Sequence, residues 1–361
     1  MKIVAVIMAG GRGERFWPRS RKDMPKQFLS LTSDGKTMIQ HTIDRIESLV
    51  DIEDIFIVTN KNYKDLVLEQ LPNVNEGNII LEPASRNTAP CIGLVATYIK
   101  YKYRDEETVM VVLPSDHLIK YNEIFIDTLK KAVEIASEER NMVTIGITPS
   151  YPETGYGYIN FGYKENEKRY IGAYKVNKFV EKPNLEKAKE YLSSGKYLWN
   201  SGMFVWKTDT ILNSFEEYLP KIYQGLSKIG NAIGTNKEEE VLKCEFSNFK
   251  SESIDYGIME KYDYIYTVPG SFGWDDVGSW LALERTYQTN EDGNIVDGNV
   301  ITINVKNSII QAQNKLVATV GVKDIIIVDT EDAILVCNKD DVQDVKKVIE
   351  NLKVCNRNQY L

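Results

Sequence analysis

Cysteine and histidine are both scarce in this 361-residue chain. The four cysteines, Cys91, Cys244, Cys337 and Cys355, stand far apart with no CxxC pair. That spacing argues against a structural zinc site and a disulfide framework, and leaves four reduced, mostly buried thiols as the expectation. An excess of positive charge is missing too. With a net charge of -8, neither nucleic acid nor an anionic membrane is an expected partner. No apolar run approaches a membrane span, and the start has no charged segment leading into a cleavable apolar stretch, so a cytoplasmic location is expected. Neither the P-loop spacing nor GxGxxG occurs at the first glycine-rich turn. No linker or low-complexity stretch divides the chain.

What is present begins with an apolar strand, Ile3–Ile7, that runs straight into a basic, glycine-rich segment over residues 8–27. Gly10, Gly11 and Gly13 let the backbone turn tightly and bring N–H groups close to an anion. Arg12, Arg15, Arg19, Arg21, Lys22 and Lys26 place six cations in fifteen residues, opposed only by Glu14 and Asp23. Pro18 and Pro25 argue against a helix there and leave a stiff loop that can aim its side chains. Such a loop suits a polyphosphate.

A hydrophobic content of 43% and a charged content of 27% are those of an ordinary globular protein, and the length allows one large domain with a smaller one. Apolar runs at Ile3–Ile7, Ile55–Val58, Ile79–Leu81, Val109–Leu113 and Met142–Ile147 read as buried strands. Helical patterns alternate with them near Met38–Leu49, Tyr63–Leu71, Ala89–Tyr103 and Phe125–Ser137. The alternation predicts an α/β fold with a mostly parallel sheet and helices on both faces. Ligands of such sheets bind at the carboxyl ends of the strands. Three polar segments fall there: the loop after Ile7, Glu82–Ala89 after the third strand, and Pro114–His117 after the fourth. From Asn294 to Asn338 short Val/Ile runs are punctuated by Asn, Asp and Gly, and a helical period returns only at Val342–Leu352. This predicts a small all-β module closed by a terminal helix, with residues 1–288 as the catalytic domain and 289–361 as the module.

Two acids can complete a polyphosphate site. Mg²⁺ takes a few carboxylates and fills its remaining positions with phosphate oxygens and water. Asp116 follows an apolar strand, and Asp275 and Asp276 lie between Trp274 and Trp280 in a setting that reads as partly dry. The segments 154–159, 179–183 and 199–203 mix aromatic residues with a few polar groups and glycines, as a sugar site would. Lys182, between Glu181 and Pro183, could meet a sugar phosphate.

Taken together, these segments resemble the mannose-1-phosphate guanylyltransferase (GDP-mannose pyrophosphorylase) family of sugar-phosphate nucleotidyltransferases. The resemblance rests on the opening loop, Glu-Pro-x-x-Arg-Asn-Thr-Ala-Pro, Leu-Pro-Ser-Asp-His, Phe-Val-Glu-Lys-Pro, Trp-Asn-Ser-Gly-Met-Phe and Trp-Asp-Asp-Val-Gly-Ser-Trp, in family order from residue 8 to residue 280. It implies a Rossmann-like, GT-A-like mixed sheet, and a C-terminal module that resembles a left-handed β-helix used in homodimer contacts. It also implies that GTP and mannose 1-phosphate give GDP-mannose and pyrophosphate with Mg²⁺. By the resemblance Gly10, Gly11 and Gly13 bind the nucleotide, and Arg15 and Lys26 grip the β- and γ-phosphates. Glu82, Asn87 and Thr88 lie beside guanine and ribose, where an acceptor suits the N1 and N2 donors of the base. Gly155, Glu181 and Asn200 face the mannose, Lys182 its phosphate, and Asp116 and Asp276 hold the metal. Asp276 is preferred to Asp275 because it aligns with the superfamily's Asp-x-Gly element.

A sugar phosphate is already an anion at pH 7, so alignment and charge neutralisation suffice and no base is required. That accords with only two histidines, of which His41 reads as structural and His117 as a neighbour that orients Asp116. Longer relatives carry an added isomerase domain, and a transferase without isomerase activity is expected here. Two other readings stay open: the same chemistry with another base or sugar 1-phosphate, and a silent regulatory subunit that binds nucleotide-sugar.

Overall fold

The computed structural model describes residues 1–11, 13–162 and 170–361. Four strands rich in Ile and Val, β1 (Lys2–Ala9), β2 (Ile55–Asn60), β3 (Ile79–Glu82) and β4 (Thr108–Pro114), lie parallel in the order β3-β2-β1-β4. Helices α1 (Met38–Ile46), α2 (Lys64–Gln70) and α3 (Thr88–Lys102) connect them. Parallel strands that are buried on both faces need continuous apolar runs, and Val4–Ile7 and Val109–Val112 are fully buried. Because these strands point the same way, Glu82 at the end of β3 and Gly10 and Ser115 just past β1 and β4 mark carboxyl ends on one sheet edge.

Beyond the two-residue β5 (Leu118–Ile119) and α4 (Asn122–Ser137), the sheet becomes mixed. Strands β6 (Met142–Ile147), β7 (Tyr158–Phe161), β8 (Tyr174–Val180), β9 (Tyr197–Lys207) and β10 (Ile265–Gly270) continue it in the order β4-β9-β6-β10-β8-β7. Strand β9 sits between β4 and β6, antiparallel to both. The Asn200-Ser201-Gly202 break in its apolar pattern hides it from a periodicity argument. The break coincides with a register shift opposite Thr144 and Gly146, and a bulge of this kind re-aims side chains at the rim of a sheet. Helices α5 (Leu185–Ser194), α6 (Thr208–Tyr218), α7 (Pro220–Ala232) and α8 (Glu238–Ser247) are additions to the helices expected from the sequence.

Past the short β11 (Trp274–Asp275) comes the Val/Ile-rich module: β12 (Ile295–Ile303), β13 (Ile309–Val320), β14 (Ile325–Asp329) and β15 (Ile334–Asn338), closed by α9 (Val345–Val354). Strands β12, β13 and β14 are parallel neighbours joined by only a few residues. Parallel pairing ordinarily requires a crossover of a dozen residues or more. Here successive coils stack on one another, and Asn304, Asn307, Gly321 and Asp324 take positive φ at the corners. Strand β15 closes the sheet antiparallel to β14.

The chain divides into two compact units: Met1–Gly10, Ile43–Ser115 and Ile119–Trp274 in the first, and Gly11–Thr42, Asp116–Leu118 and Asp275–Leu361 in the second. The basic loop therefore packs in the same unit as the β module, a partition different from a cut at residue 288. The physical reason is the core of the second unit. Phe16, Trp17, Leu29 and Leu31 pack with Trp280, Ile295, Ile309, Ile326 and Val328. Each such side chain contributes roughly 1.5–3 kcal/mol by leaving water. Trp280 Nε1 donates to the Trp17 carbonyl at 3.1 Å, and Trp17 Nε1 to the Tyr360 carbonyl at 2.8 Å. Arg21 bonds the Pro18 and Tyr360 carbonyls and pairs with Asp332 at 2.6 Å.

The expectation of mostly buried thiols is corrected. All four cysteines are free, but only Cys91, on the enclosed helix α3, is buried. Cys244 and Cys355 are exposed, on the polar face of α8 and just past α9, and Cys337 is intermediate. Among the described residues no helix is long and apolar enough to cross a membrane.

Candidate active site

The glycine-rich turn after β1 is shaped by Gly13. It sits at φ +60°, and a Cβ there would come within 2.2 Å of the Lys26 Cβ. Only glycine permits both the left-handed backbone and that approach. The turn leads into a 3₁₀ turn at Glu14–Phe16, and a second at Lys26–Phe28 brings Lys26 back beside it. The two turns and the segment 276–278 wall a cavity of about 460 Å³ in the second unit. Arg15, Lys26, Asp116, His117, Asp276 and Lys346 are among its lining residues.

Lys26 is almost fully buried, and its Nζ donates to Asp116 Oδ2 at 2.9 Å and to the Asp276 carbonyl at 2.6 Å. Desolvation pushes the Asp116 carboxyl upward. The charges of Lys26 and His117 and the Lys26 hydrogen bond outweigh that push and hold it below the ordinary aspartate value. Asp116 is thus ionised at neutral pH. Arg15 Nη1 reaches the Gly278 carbonyl at 3.3 Å, while its Nε is buried with no hydrogen-bond partner among the described residues. A buried cationic donor left over beside a cavity suits an anionic ligand.

The two adjacent acids differ in their surroundings. Asp275 is paired with Arg285 through both oxygens and accepts from Val277 N at 2.8 Å, so it closes a turn. Asp276 lines the cavity with Asp116. Among the described residues no three His, Cys, Asp or Glu side chains stand together as a metal cage. Mg²⁺ is ordinarily bound by one or two carboxylates plus substrate phosphates, and Asp116 with Asp276 is a donor set of that kind. His41 is tied to Thr32 at 2.9 Å and Asp34 at 3.2 Å, as befits a structural role. Arg12 lies outside the described residues, and Gly11 is not part of the cavity lining.

In the first unit, Glu82 ends β3 nearly fully buried, and a Cβ on Gly10 would lie 3.3 Å from its Oε2. Burial raises the Glu82 carboxyl to about 7, opposed only by a hydrogen bond from the Cys91 thiol. Asn87 caps α3, its side chain accepting from Thr88 N at 2.8 Å, and the Thr88 hydroxyl accepts from Ile254 N at 2.9 Å. These two side chains therefore hold the loop in shape.

A second cluster gathers around Gly157 and β9. A Cβ on Gly157 would stand 2.6 Å from Glu181 Oε2 and 3.4 Å from Asn200 Cβ, so this glycine keeps both side chains close. Asn200 Nδ2 donates to Asp255 Oδ1 at 2.7 Å. Lys182 takes φ +43° and pairs with Glu181 at 2.9 Å from an exposed position. Trp199 stands edge-on to Tyr156 at 5.3 Å, and Tyr156 to Trp274 at 5.4 Å, forming an aromatic wall. Gly155 instead donates its N–H to Glu153 at 2.7 Å and is exposed.

Three residues of these sites escaped the sequence reading. Lys346 belongs to α9, where a surface lysine carries no signal. Asp255 sits in a stretch without periodicity, and only its π-helical turn, Asp255–Met259, marks it. Gly157 was read only as one glycine of an aromatic segment.

A family model for nucleotidyl transferases matches residues 4–293, and a mannose-phosphate isomerase/GMP-like β-helix model matches residues 298–352. The chain is 41% identical over 367 residues to the mannose-1-phosphate guanylyltransferase of Escherichia coli K12, covering 99% of this chain and 75% of that protein. It belongs to the mannose-1-phosphate guanylyltransferase family. A Salmonella montevideo mannose-1-phosphate guanylyltransferase is 42% identical over 99% of this chain and 76% of its own. A crystal structure of a mannose-1-phosphate geranyltransferase from Thermus thermophilus superposes with a TM-score of 0.86 at 34% identity, covering 98% of this chain and all of that one. The nucleotidyltransferase fold and the β-helix-like module expected from the sequence are thereby borne out.

Proposed function

We propose that the protein transfers GMP from GTP to α-D-mannose 1-phosphate, giving GDP-mannose and pyrophosphate. The observation that carries the chemistry is the cavity in which buried Lys26 and half-buried Arg15 stand with the ionised Asp116 and with Asp276. A phosphate oxygen of mannose 1-phosphate forms the new bond to the α-phosphorus. The bond from that phosphorus to the bridging oxygen breaks, and pyrophosphate leaves. The attacking group is already an anion, so no base is needed.

In this reading Arg15 and Lys26 bind the β- and γ-phosphates and neutralise the departing pyrophosphate. Gly10, Gly11 and Gly13 keep the nucleotide loop tight, and Glu82 accepts from guanine while Asn87 and Thr88 shape the loop beside it. Glu181 and Asn200 hold the mannose with Gly155 nearby, and Lys182 meets its phosphate. Mg²⁺ bound by Asp116 and Asp276 would supply further charge neutralisation on the triphosphate. Residues 1–288 are read as the catalytic segment and 289–361 as the module.

The module is read as the contact of a homodimer. Ile301, Ile303, Leu316, Val320 and Val336 leave about half or more of their surface exposed there, apolar side chains that a second copy would cover. Free thiols support a reducing cytoplasm. The experiment is pyrophosphate release from GTP, ATP, UTP and dTTP, each with mannose 1-phosphate or glucose 1-phosphate, with and without Mg²⁺. Metal-dependent release confined to GTP and mannose 1-phosphate is expected. Equal use of UTP or dTTP would overturn the guanylyl assignment. Binding of GDP-mannose without any release would point to a regulatory subunit.

A further inference from the structure

The Asn200 side chain is held from both ends. Its Oδ1 accepts from Gly202 N at 3.2 Å and from the Thr144 hydroxyl at 3.4 Å, and its Nδ2 donates to Asp255 Oδ1 at 2.7 Å. A backbone N–H can only donate and a carboxylate can only accept, so the two anchors fix which way the amide faces. Among the described residues, one Nδ2 hydrogen remains after these bonds. The backbone is held as well, with Asn200 N donating to the Gly157 carbonyl at 2.8 Å.

Asp255 is itself fastened in place. It opens the π-helical turn, and the residues just before it are bonded to the loop that starts α3. Glu252 N donates to the Arg86 carbonyl at 3.2 Å, Ala89 N to the Glu252 carbonyl at 3.0 Å, and Ile254 N to the Thr88 hydroxyl at 2.9 Å. Desolvation first, and then repulsion from Glu181, raise the Asp255 carboxyl to about 6. Glu181 and Asp255 therefore share a partly dry site with Glu260 close by, and Lys182 pairs with Glu181.

We propose that Asp255 is a positioning residue of the sugar site: its carboxylate pins the Asn200 amide so that the remaining Nδ2 hydrogen is presented to a hydroxyl oxygen of the hexose 1-phosphate. The proposal rests on the reading of Glu181 and Asn200 as the sugar site. Asp255 acts through Asn200, and its removal lets the amide rotate or flip without altering the nucleotide side.

The test is steady-state kinetics and calorimetric binding of mannose 1-phosphate for N200A, D255A, D255N and the double variant D255A/N200A, with melting curves alongside. Losing a hydrogen bond to a charged group predicts a KM for mannose 1-phosphate raised about tenfold or more in D255A, with the KM for GTP within about twofold of the parent. In D255N the new amide oxygen still accepts from Asn200, so the KM returns to within about threefold of the parent. The double variant should be no worse than N200A alone. Should D255A fail to fold, Asp255→Leu, which keeps the volume and removes both acceptors, carries the same expectation. Equal damage from D255N and D255A, or the same added loss in the N200A background, overturns the positioning role while leaving the sugar site standing. An unchanged mannose 1-phosphate KM in N200A would instead sink the sugar-site reading itself.

Discussion

Replacing Lys26 by Met tests whether the cavity is held together by one buried cation. The thioether fills the volume of the lysine stem but removes the bonds to Asp116 Oδ2 and the Asp276 carbonyl. Breaking a fully buried pair costs about 3–5 kcal/mol, because the surviving charge is left without compensation. The Asp116 side chain is 33% exposed, and access to water reduces this to roughly 2 kcal/mol. The sign with pH follows from the direction of the shift. In the parent, Asp116 titrates below its unfolded value, so its stabilisation is present above the ordinary aspartate range and fades as pH falls through the folded value. In K26M the Lys26 attraction is gone while desolvation and the weaker pull of His117 remain, so the Asp116 carboxyl moves up and the variant loses stability at neutral pH. Urea unfolding at pH 7.5 and pyrophosphate release read the two consequences separately. Adding Asp116→Asn to K26M should recover most of the stability and none of the turnover, which falls about a hundredfold or more in either case. If the double variant is no more stable than K26M, the stranded carboxylate is not the source of the loss and the electrostatic account fails.

Asp275 and Asp276 should part company: D276N is expected to lower metal-dependent turnover about a hundredfold with an unchanged melting temperature. D275N should lose about 1 kcal/mol of stability and little turnover, since it weakens the Arg285 pair; the opposite pattern in melting curves and rates would exchange their roles. Glu82, raised to about 7 by burial, keeps its proton in the folded state above its unfolded range, so stability falls as pH rises from about 4.5 to 7. At about 1.4 kcal/mol per pH unit this is on the order of 3 kcal/mol, and E82Q should flatten that part of the profile in urea titrations at pH 5 and pH 8. Lys346, exposed on α9, should raise the KM for GTP about three- to tenfold when changed to Ala, more at low salt than at high salt, without shifting the melting temperature. A KM indifferent to both the change and the salt would remove it from the triphosphate site.

The local chemistry was legible in the chain itself. The Val/Ile runs at 3–7 and 109–113 read as enclosed strands because only a doubly covered sheet consumes unbroken apolar runs, and the clustered cations after Ile7 read as a phosphate loop because like charges are otherwise kept apart. The punctuated Val/Ile stretch after residue 294 likewise announced a small all-β module. Tertiary structure decided what local pattern could not carry. Strand β9 has its place in the sheet because its bulge is accommodated by β6, which no single segment encodes. The basic loop shares a core with the C-terminal module because Phe16 and Trp17 need apolar partners, and those partners lie some 260 residues or more away at Trp280 and Ile295. Asp255 owes its significance to an Asn 55 residues distant and to an acid just past the end of β8. Burial and pairing are properties of neighbours in space, and a carboxylate's chemistry is settled there rather than by its place in the chain.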